Sequence, residues 1–145
     1  MEVEVYEGTL SAELEAEILD LYGEIFGDVD EAKFRQRMNA EHLLTLVVRQ
    51  NNSLAGFKIG YPLNSEVFYS WLGAVSPPFR RRGIALLLME RQHAWCKANG
   101  FLKVCTKTYN RWKNMLILNL KCGFVIVGLT KKEDGRLQIV LEKRL

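Results

Sequence analysis

The sequence predicts one α/β (α+β) domain, a mixed sheet with helices on both faces. Three observations carry that expectation. The chain has 145 residues, the length of one domain, with 48% apolar and 26% charged side chains. Segments of strand character alternate with segments of helical period. No internal repeat, low-complexity tract or long linker divides the chain, so residues 1–145 read as a single domain. A domain of this size buries roughly two-thirds of its unfolded surface, enough for one core.

Val3 to Tyr6 reads as a short strand. Ser11 suits a helix cap, with Glu13 and Glu15 placed to favour the positive end of the helix dipole. Leu14, Ile18, Leu21, Tyr22 and Ile25 then recur at helical spacing. A shorter helix is expected from Asp30 to Asn39, with Phe34 and Met38 inward. Leu43 to Gln50 and Leu54 to Tyr61 read as a hairpin turned at Asn51, Asn52 and Ser53. After a loop over Pro62 to Ser65, Val67 to Val75 is the next strand, and Pro77 and Pro78 end it. A helix follows from Gly83 to Asn99, with Leu87, Leu88, Ala94, Trp95 and Ala98 as its expected buried side and Gly100 as its stop. Lys103 to Thr108 is a strand and Trp112 to Lys121 a helix. Phe124 to Thr130 and Leu137 to Leu141 form a closing hairpin around Asp134-Gly135.

The net charge of +3, from 20 basic and 17 acidic side chains, does not by itself imply a polyanionic partner. The first third is rich in acid, whereas Arg80, Arg81 and Arg82 stand together. A local basic spot on a near-neutral chain suits a small anionic ligand. Trp112, Lys113, Lys121, Lys131 and Lys132 add basic and aromatic character, yet nucleic acid is not the expected partner. Cys96, Cys105 and Cys122 are odd in number and widely spaced, and with only His42 and His93 beside them no metal-ligand spacing arises. Free thiols and an acidic N-terminus without an apolar signal region lead us to expect a cytoplasmic protein. The longest strongly apolar run, Ile84 to Met89, is too short to span a bilayer.

The informative stretch is Val75 to Ala85, which joins a strand to a helix. A helix start presents unpaired N–H groups and the positive end of the macrodipole, so it attracts anions. Gly83 lets a phosphate approach the backbone, Ala85 keeps the first turn narrow, and Arg80, Arg81 and Arg82 surround the spot with positive charge. No GxxxxGK[ST] and no GxGxxG occurs, so neither a P-loop nor a Rossmann turn is supported.

This stretch resembles the GNAT superfamily of coenzyme A-dependent N-acetyltransferases, whose signature is Gln/Arg-x-x-Gly-x-Gly/Ala. Here it reads Arg80, Arg81, Arg82, Gly83, Ile84, Ala85. Gly73 to Pro77 resembles the end of that family's fourth strand. Lys121-Cys122-Gly123-Phe124 resembles the Gly-Phe that closes its last conserved helix. The motifs run from about Phe57 to the C-terminus, and the order of elements fits the whole chain. The resemblance implies a largely antiparallel sheet of about six or seven strands. It implies acetyl-coenzyme A (acetyl-CoA) as cofactor, held by Arg80 to Ala85, by the backbone of Leu72, Gly73, Ala74 and Val75, and by Asn110 and Asn114. The implied reaction is direct transfer of acetyl from the thioester to a primary amine of a small molecule or peptide, by a monomer or homodimer. The alternative is a catalytically weak coenzyme A-binding sensor.

Transfer to an amine needs an oxyanion donor, which the resemblance places on an N–H such as that of Val75, and a group or water chain to take a proton. Glu66, Tyr69, Glu24 and His93 are the candidates for the proton, with Glu66 leading because it runs into the strand that would carry the acetyl group. The family often has a tyrosine four residues before the Gly of its Gly-Phe pair, where it protonates the departing thiolate. Asn119 stands there, and an amide cannot give up a proton at neutral pH. Acceptor choice is expected from the first two helices, whose Glu24, Asp28, Asp30 and Glu31 suggest an acidic rim for a cationic amine. Tyr22, Phe26, Tyr69 and Trp71 are candidates to line an apolar pocket or to be core.

Overall fold

The computed structural model describes residues 1–145. Turn chemistry sets the strand ends. Asn51 and Asn52 both take positive φ (51° and 63°), the geometry of a two-residue hairpin whose twist matches its strands. That turn joins β2 (Leu44–Gln50) to β3 (Ser53–Pro62). β4 (Val67–Val75) runs into a 3-10 turn at Pro77–Phe79. β5 (Lys103–Tyr109) precedes β6 (Val125–Lys131) and β7 (Leu137–Arg144), and β1 (Val3–Glu7) opens the chain.

The seven strands form one sheet in the order β1-β2-β3-β4-β5-β7-β6. Every neighbouring pair is antiparallel except β4 and β5, which are parallel. The four helices, α1 (Ala12–Phe26), α2 (Glu31–Arg37), α3 (Ile84–Ala98) and α4 (Lys113–Lys121), cover the two faces. On one face α1 and α2 bury Leu14, Ile18, Leu21, Phe34 and Met38 against Val47, Phe57 and Ile59. On the other α3 buries Ile84, Leu88, Met89 and Cys96 with Leu44, Leu46, Phe68 and Val104, and α4 adds Leu116 and Leu118 at the margin. No helix is long and apolar enough to cross a membrane.

The inward side of α3 differs from the expected one. Leu88 is buried as anticipated, but Ala94 and Ala98 are exposed, and Leu87 and Trp95 are only half-buried. Gln92, His93 and Cys96 take the buried places. Apolar residues lie nearly all round this helix, so the apolar stripe is a poor guide to the face that packs.

One irregularity positions the site. On β4, Ser70 pairs with Gly60 and Leu72 with Ile59, so Trp71 is an extra residue, a β-bulge. Gly60 allows it. A Cβ there would overlap the Phe68 ring and stand 2.5 Å from the Tyr69 carbonyl oxygen. The parallel pairing of β4 with β5 covers only Val67 to Ser70. Beyond the bulge β4 keeps β3 as its neighbour, whereas Lys107 to Tyr109 of β5 pair with β7 alone. The sheet is therefore split between the second halves of β4 and β5.

Candidate active site

The split leaves main-chain groups open in an order that the ladder fixes. The Ser76 N–H donates to the Ala55 carbonyl at 2.8 Å. Bonded and non-bonded pairs alternate in an antiparallel ladder. Phe57 with Ala74 and Ile59 with Leu72 are thus bonded pairs, and the polar groups of Gly73 and Val75 turn away from β3, into the split. Of the four residues expected to grip a ligand through their backbone, Gly73 and Val75 turn their main-chain groups into the split, whereas those of Leu72 and Ala74 face β3. Arg80 Nε donates to the Val75 carbonyl at 3.1 Å, so the free groups are the Val75 N–H and both groups of Gly73.

The start of α3 stands beside this opening. Gly83 is its N-terminal residue at φ 79°, a left-handed conformation that strains any residue with a Cβ. No side chain caps the helix there, and the first intrahelical bond runs from the Leu87 N–H to the Gly83 carbonyl. The N–H groups of Ile84, Ala85 and Leu86 are left without an intrahelical partner. Arg80, Arg81 and Arg82 are exposed, and no carboxylate pairs with them. Arg82 lies over the Phe79 ring at 5.5 Å, and Arg81 takes a positive φ of 64°. The turn thus offers three cationic groups and three N–H groups to an anion.

A small cavity joins the two parts. It is lined by Phe57 and Lys58 of β3, Gly73, Ala74 and Val75 of β4, Ala85 and Leu88 of α3, and Met115 of α4. Lys58 and Met115, which no motif marks, join the lining only through the fold, as does Leu88 from the buried side of α3. Asn119 is 3% exposed and sits one helical turn beyond Met115, on the same side of α4. Asn110, just past β5, and Asn114, in the first turn of α4, are exposed and make no side-chain hydrogen bond, so their amides are available. A broader surface depression lies elsewhere, around His42, Asn64, Trp95 and Phe101, at the far end of α3.

The proton acceptors fare less well. Glu66 is exposed before the paired half of β4, where its carbonyl accepts from the Leu102 and Lys103 N–H groups. Gly73 lies seven positions farther along the strand, about 23 Å at full extension. Glu66 leads into β4 as expected, at the end of the strand far from the split. His93 is buried, and burial, with Lys143 and Lys58 nearby, pushes its imidazole down to about 3. Lys143 Nζ stands 3.1 Å from His93 Nδ1. An ammonium only donates, so Nδ1 accepts, Nε2 carries the proton, and no free lone pair remains. Burial raises the Tyr69 phenol, which keeps its proton at neutral pH and is a donor rather than a base.

On the α1/α2 side of the split, aromatic rings run in contact from Tyr69 through Tyr61, Trp71, Phe34, Tyr22 and Phe26 to Trp112. Tyr22, Phe26 and Trp71 are only half-buried, so they are wall as well as core. The acidic rim is smaller than expected. Asp30 caps α2 by accepting from the Lys33 N–H, and Glu31 pairs with Arg35. Glu24 and Asp28 remain exposed and unpaired. Arg37, stacked on Trp71 at 5.5 Å, brings a cation to this wall instead.

The sequence profile of the Acetyltransferase (GNAT) family matches residues 11–124, and the chain belongs to that family. It is an acetyl-CoA-dependent acetyltransferase. No curated protein sequence matches it. Solved structures share the fold. The chain is similar to an IAA acetyltransferase from Bacillus cereus ATCC 14579, with a TM-score of 0.82 and 21% identity over 99% of this chain and 100% of the other. It is similar to the ribosomal-protein-S18-alanine N-acetyltransferase of Escherichia coli, at 0.81 and 16% over 97% and 94%. A GNAT family acetyltransferase from Elizabethkingia anophelis with acetyl-CoA bound gives 0.77 and 22% over 99% and 98%.

Proposed function

We propose that the protein acetylates a primary amine of a small molecule or peptide by direct attack on acetyl-CoA in a ternary complex. The observation that carries this reading is the continuity of the split with the bare start of α3. The N–H groups of Ile84, Ala85 and Leu86, with Arg80, Arg81 and Arg82, hold the pyrophosphate. Val75, nearer the pyrophosphate, holds the pantetheine amide chain through its backbone N–H, helped by Asn110 and Asn114. The Gly73 N–H, two residues farther along β4, faces the cleft as the oxyanion donor. When bound, acetyl-CoA supplies an acetyl group activated as a thioester.

The amine enters from the aromatic wall of Tyr22, Phe26 and Trp71. Its proton leaves through water, with Glu24 near the end of α1 as the side chain still open to receive it. Two structural neighbours, an IAA acetyltransferase and a ribosomal-protein-S18-alanine N-acetyltransferase, support transfer to an acceptor without fixing which. Three free thiols fit a reducing compartment, and the cytoplasm is the proposed location.

The test is release of coenzyme A thiol from acetyl-CoA with a panel of polyamines, amino acids and short peptides. Amine-dependent release, with a mass increase of one acetyl group on the amine, is expected. Binding of acetyl-CoA without release across the panel would favour the sensor reading, which the buried amide of Asn119 in place of an acid otherwise supports.

A further inference from the structure

Lys58 is the one charged side chain that lines the cavity. It interrupts an otherwise apolar strand and is only 9% exposed. Its cross-strand partner is Gly73, in a non-bonded pair, the arrangement that brings side chains closest. A Cβ on Gly73 would lie 3.5 Å from Lys58 Cγ and 3.6 Å from Nζ. The lysine therefore lies over the bare backbone of Gly73, on the α3/α4 side of the split. It forms no ion pair and no side-chain hydrogen bond.

A buried ammonium without a partner is costly, and the neighbours do not relieve it. From α3 it faces neutral His93, and from β7 the ammonium of Lys143, which His93 occupies. From the end of α4 it feels the Cys122 thiol. No carboxylate faces it from any of these elements. Burial accordingly pushes Lys58 down to about 8. That leaves it mostly protonated at neutral pH and close to an alkyl thiol, which titrates near ~8.5.

We infer that the Lys58 ammonium stands against the sulfur of the thioester and gives it a proton as the C–S bond breaks. The inference rests on the acetyl-transfer reading of the cleft. The acceptor nitrogen forms the new C–N bond and loses one proton to solvent. The C–S electron pair goes to sulfur, which takes a proton from Lys58 Nζ and leaves as the thiol. Lys58 recovers a proton from solvent. The missing anion of this buried cation is thus the charge that forms on sulfur, and Lys58 supplies what the amide of Asn119 cannot.

The test reads the sulfur directly and needs no acceptor. Coenzyme A is bound to wild type and to Lys58→Met, with binding followed by calorimetry. The ultraviolet absorbance of the thiolate is then followed against pH, with the desulfo-coenzyme A complex as blank so that protein thiols and phenols cancel. In the wild type the bound thiol should titrate about one pH unit or more below free coenzyme A, and Lys58→Met should abolish that shift. The same variant should melt no lower than wild type, because methionine fills the space and removes an unpaired buried charge. A merely structural lysine would instead leave the thiol unmoved and lose stability on substitution. Equal thiol titration in both proteins, each binding coenzyme A, overturns the inference and leaves the proposed function standing. Acetylation of Lys58 itself on incubation with acetyl-CoA, read by peptide mass, also overturns it, since the amine would then be an acceptor. Absence of coenzyme A binding by the wild type overturns the proposed function and this inference together.

Discussion

The helices on the two faces of the sheet begin differently. α1 starts under Ser11, whose hydroxyl accepts from the Leu14 N–H at 3.2 Å, and α2 under Asp30, whose carboxylate accepts from the Lys33 N–H at 3.0 Å. α3 and α4 start at Gly83 and Trp112 with no side-chain cap. The capped helices each satisfy one of their free N–H groups with a side chain of their own and serve as packing. The uncapped pair start beside the split, with their N–H groups open to an anion or a polar chain. The face proposed to bind the cofactor is thus the one on which the protein leaves its own polar groups unmet: two helix starts, half a strand edge and one buried ammonium.

Substitutions can break or sharpen that contrast. The largest effect is expected for Gly83→Asp. A Cβ there meets open space, so the fold should survive the strain of its positive φ. A carboxylate would then sit where the pyrophosphate is proposed. Affinity for acetyl-CoA should fall about tenfold or more in calorimetry, about 1.4 kcal/mol or more. An unchanged affinity would remove the phosphate role from this turn. Ser11→Ala should do the reverse, costing about 1 kcal/mol of stability in denaturant unfolding while leaving acetyl-CoA affinity as it was.

The smallest effect concerns the ion pair that ties α1 to β2. Glu17 and Arg49 meet through two hydrogen bonds of 2.8 and 3.0 Å, with the side chains 42% and 29% exposed. The Arg49 hydrogen bonds hold the Glu17 carboxyl below its ordinary value. The pair therefore contributes fully above about pH 4.3 and loses its contribution as pH falls through the lowered value. Glu17→Gln should cost less than about 1 kcal/mol at pH 7, discounted for exposure, and the difference from wild type should vanish in acid.

Most of this architecture is legible in the sequence because punctuation is local. Asn51-Asn52, Pro77-Pro78 and Asp134-Gly135 fix where strands stop, and Ser11 and Asp30 announce two helix starts. Arg80 to Ala85 carries the family signature within one turn. The bulge at Trp71 and the parting of β4 from β5 depend on strand pairing between distant segments, which no local pattern specifies. For that reason Leu72 and Ala74 could not be told from Gly73 and Val75, nor could Glu66 be seen to lie at the wrong end of the strand. Lys58 had a signal that was overlooked: a single lysine between Phe57 and Ile59, in a strand whose neighbours are all apolar or glycine from Leu54 to Tyr61. The buried side of α3 is hidden from an apolar pattern because Gln92 and His93, two polar residues, occupy it.

The most direct measurement is amide hydrogen exchange with and without acetyl-CoA. The account predicts new protection at Ile84, Ala85 and Leu86 and at Gly73 and Val75, with Glu13 and Leu14 at the capped start of α1 unchanged. Binding that leaves the start of α3 and the second half of β4 unprotected, or that protects both helix starts alike, would contradict it.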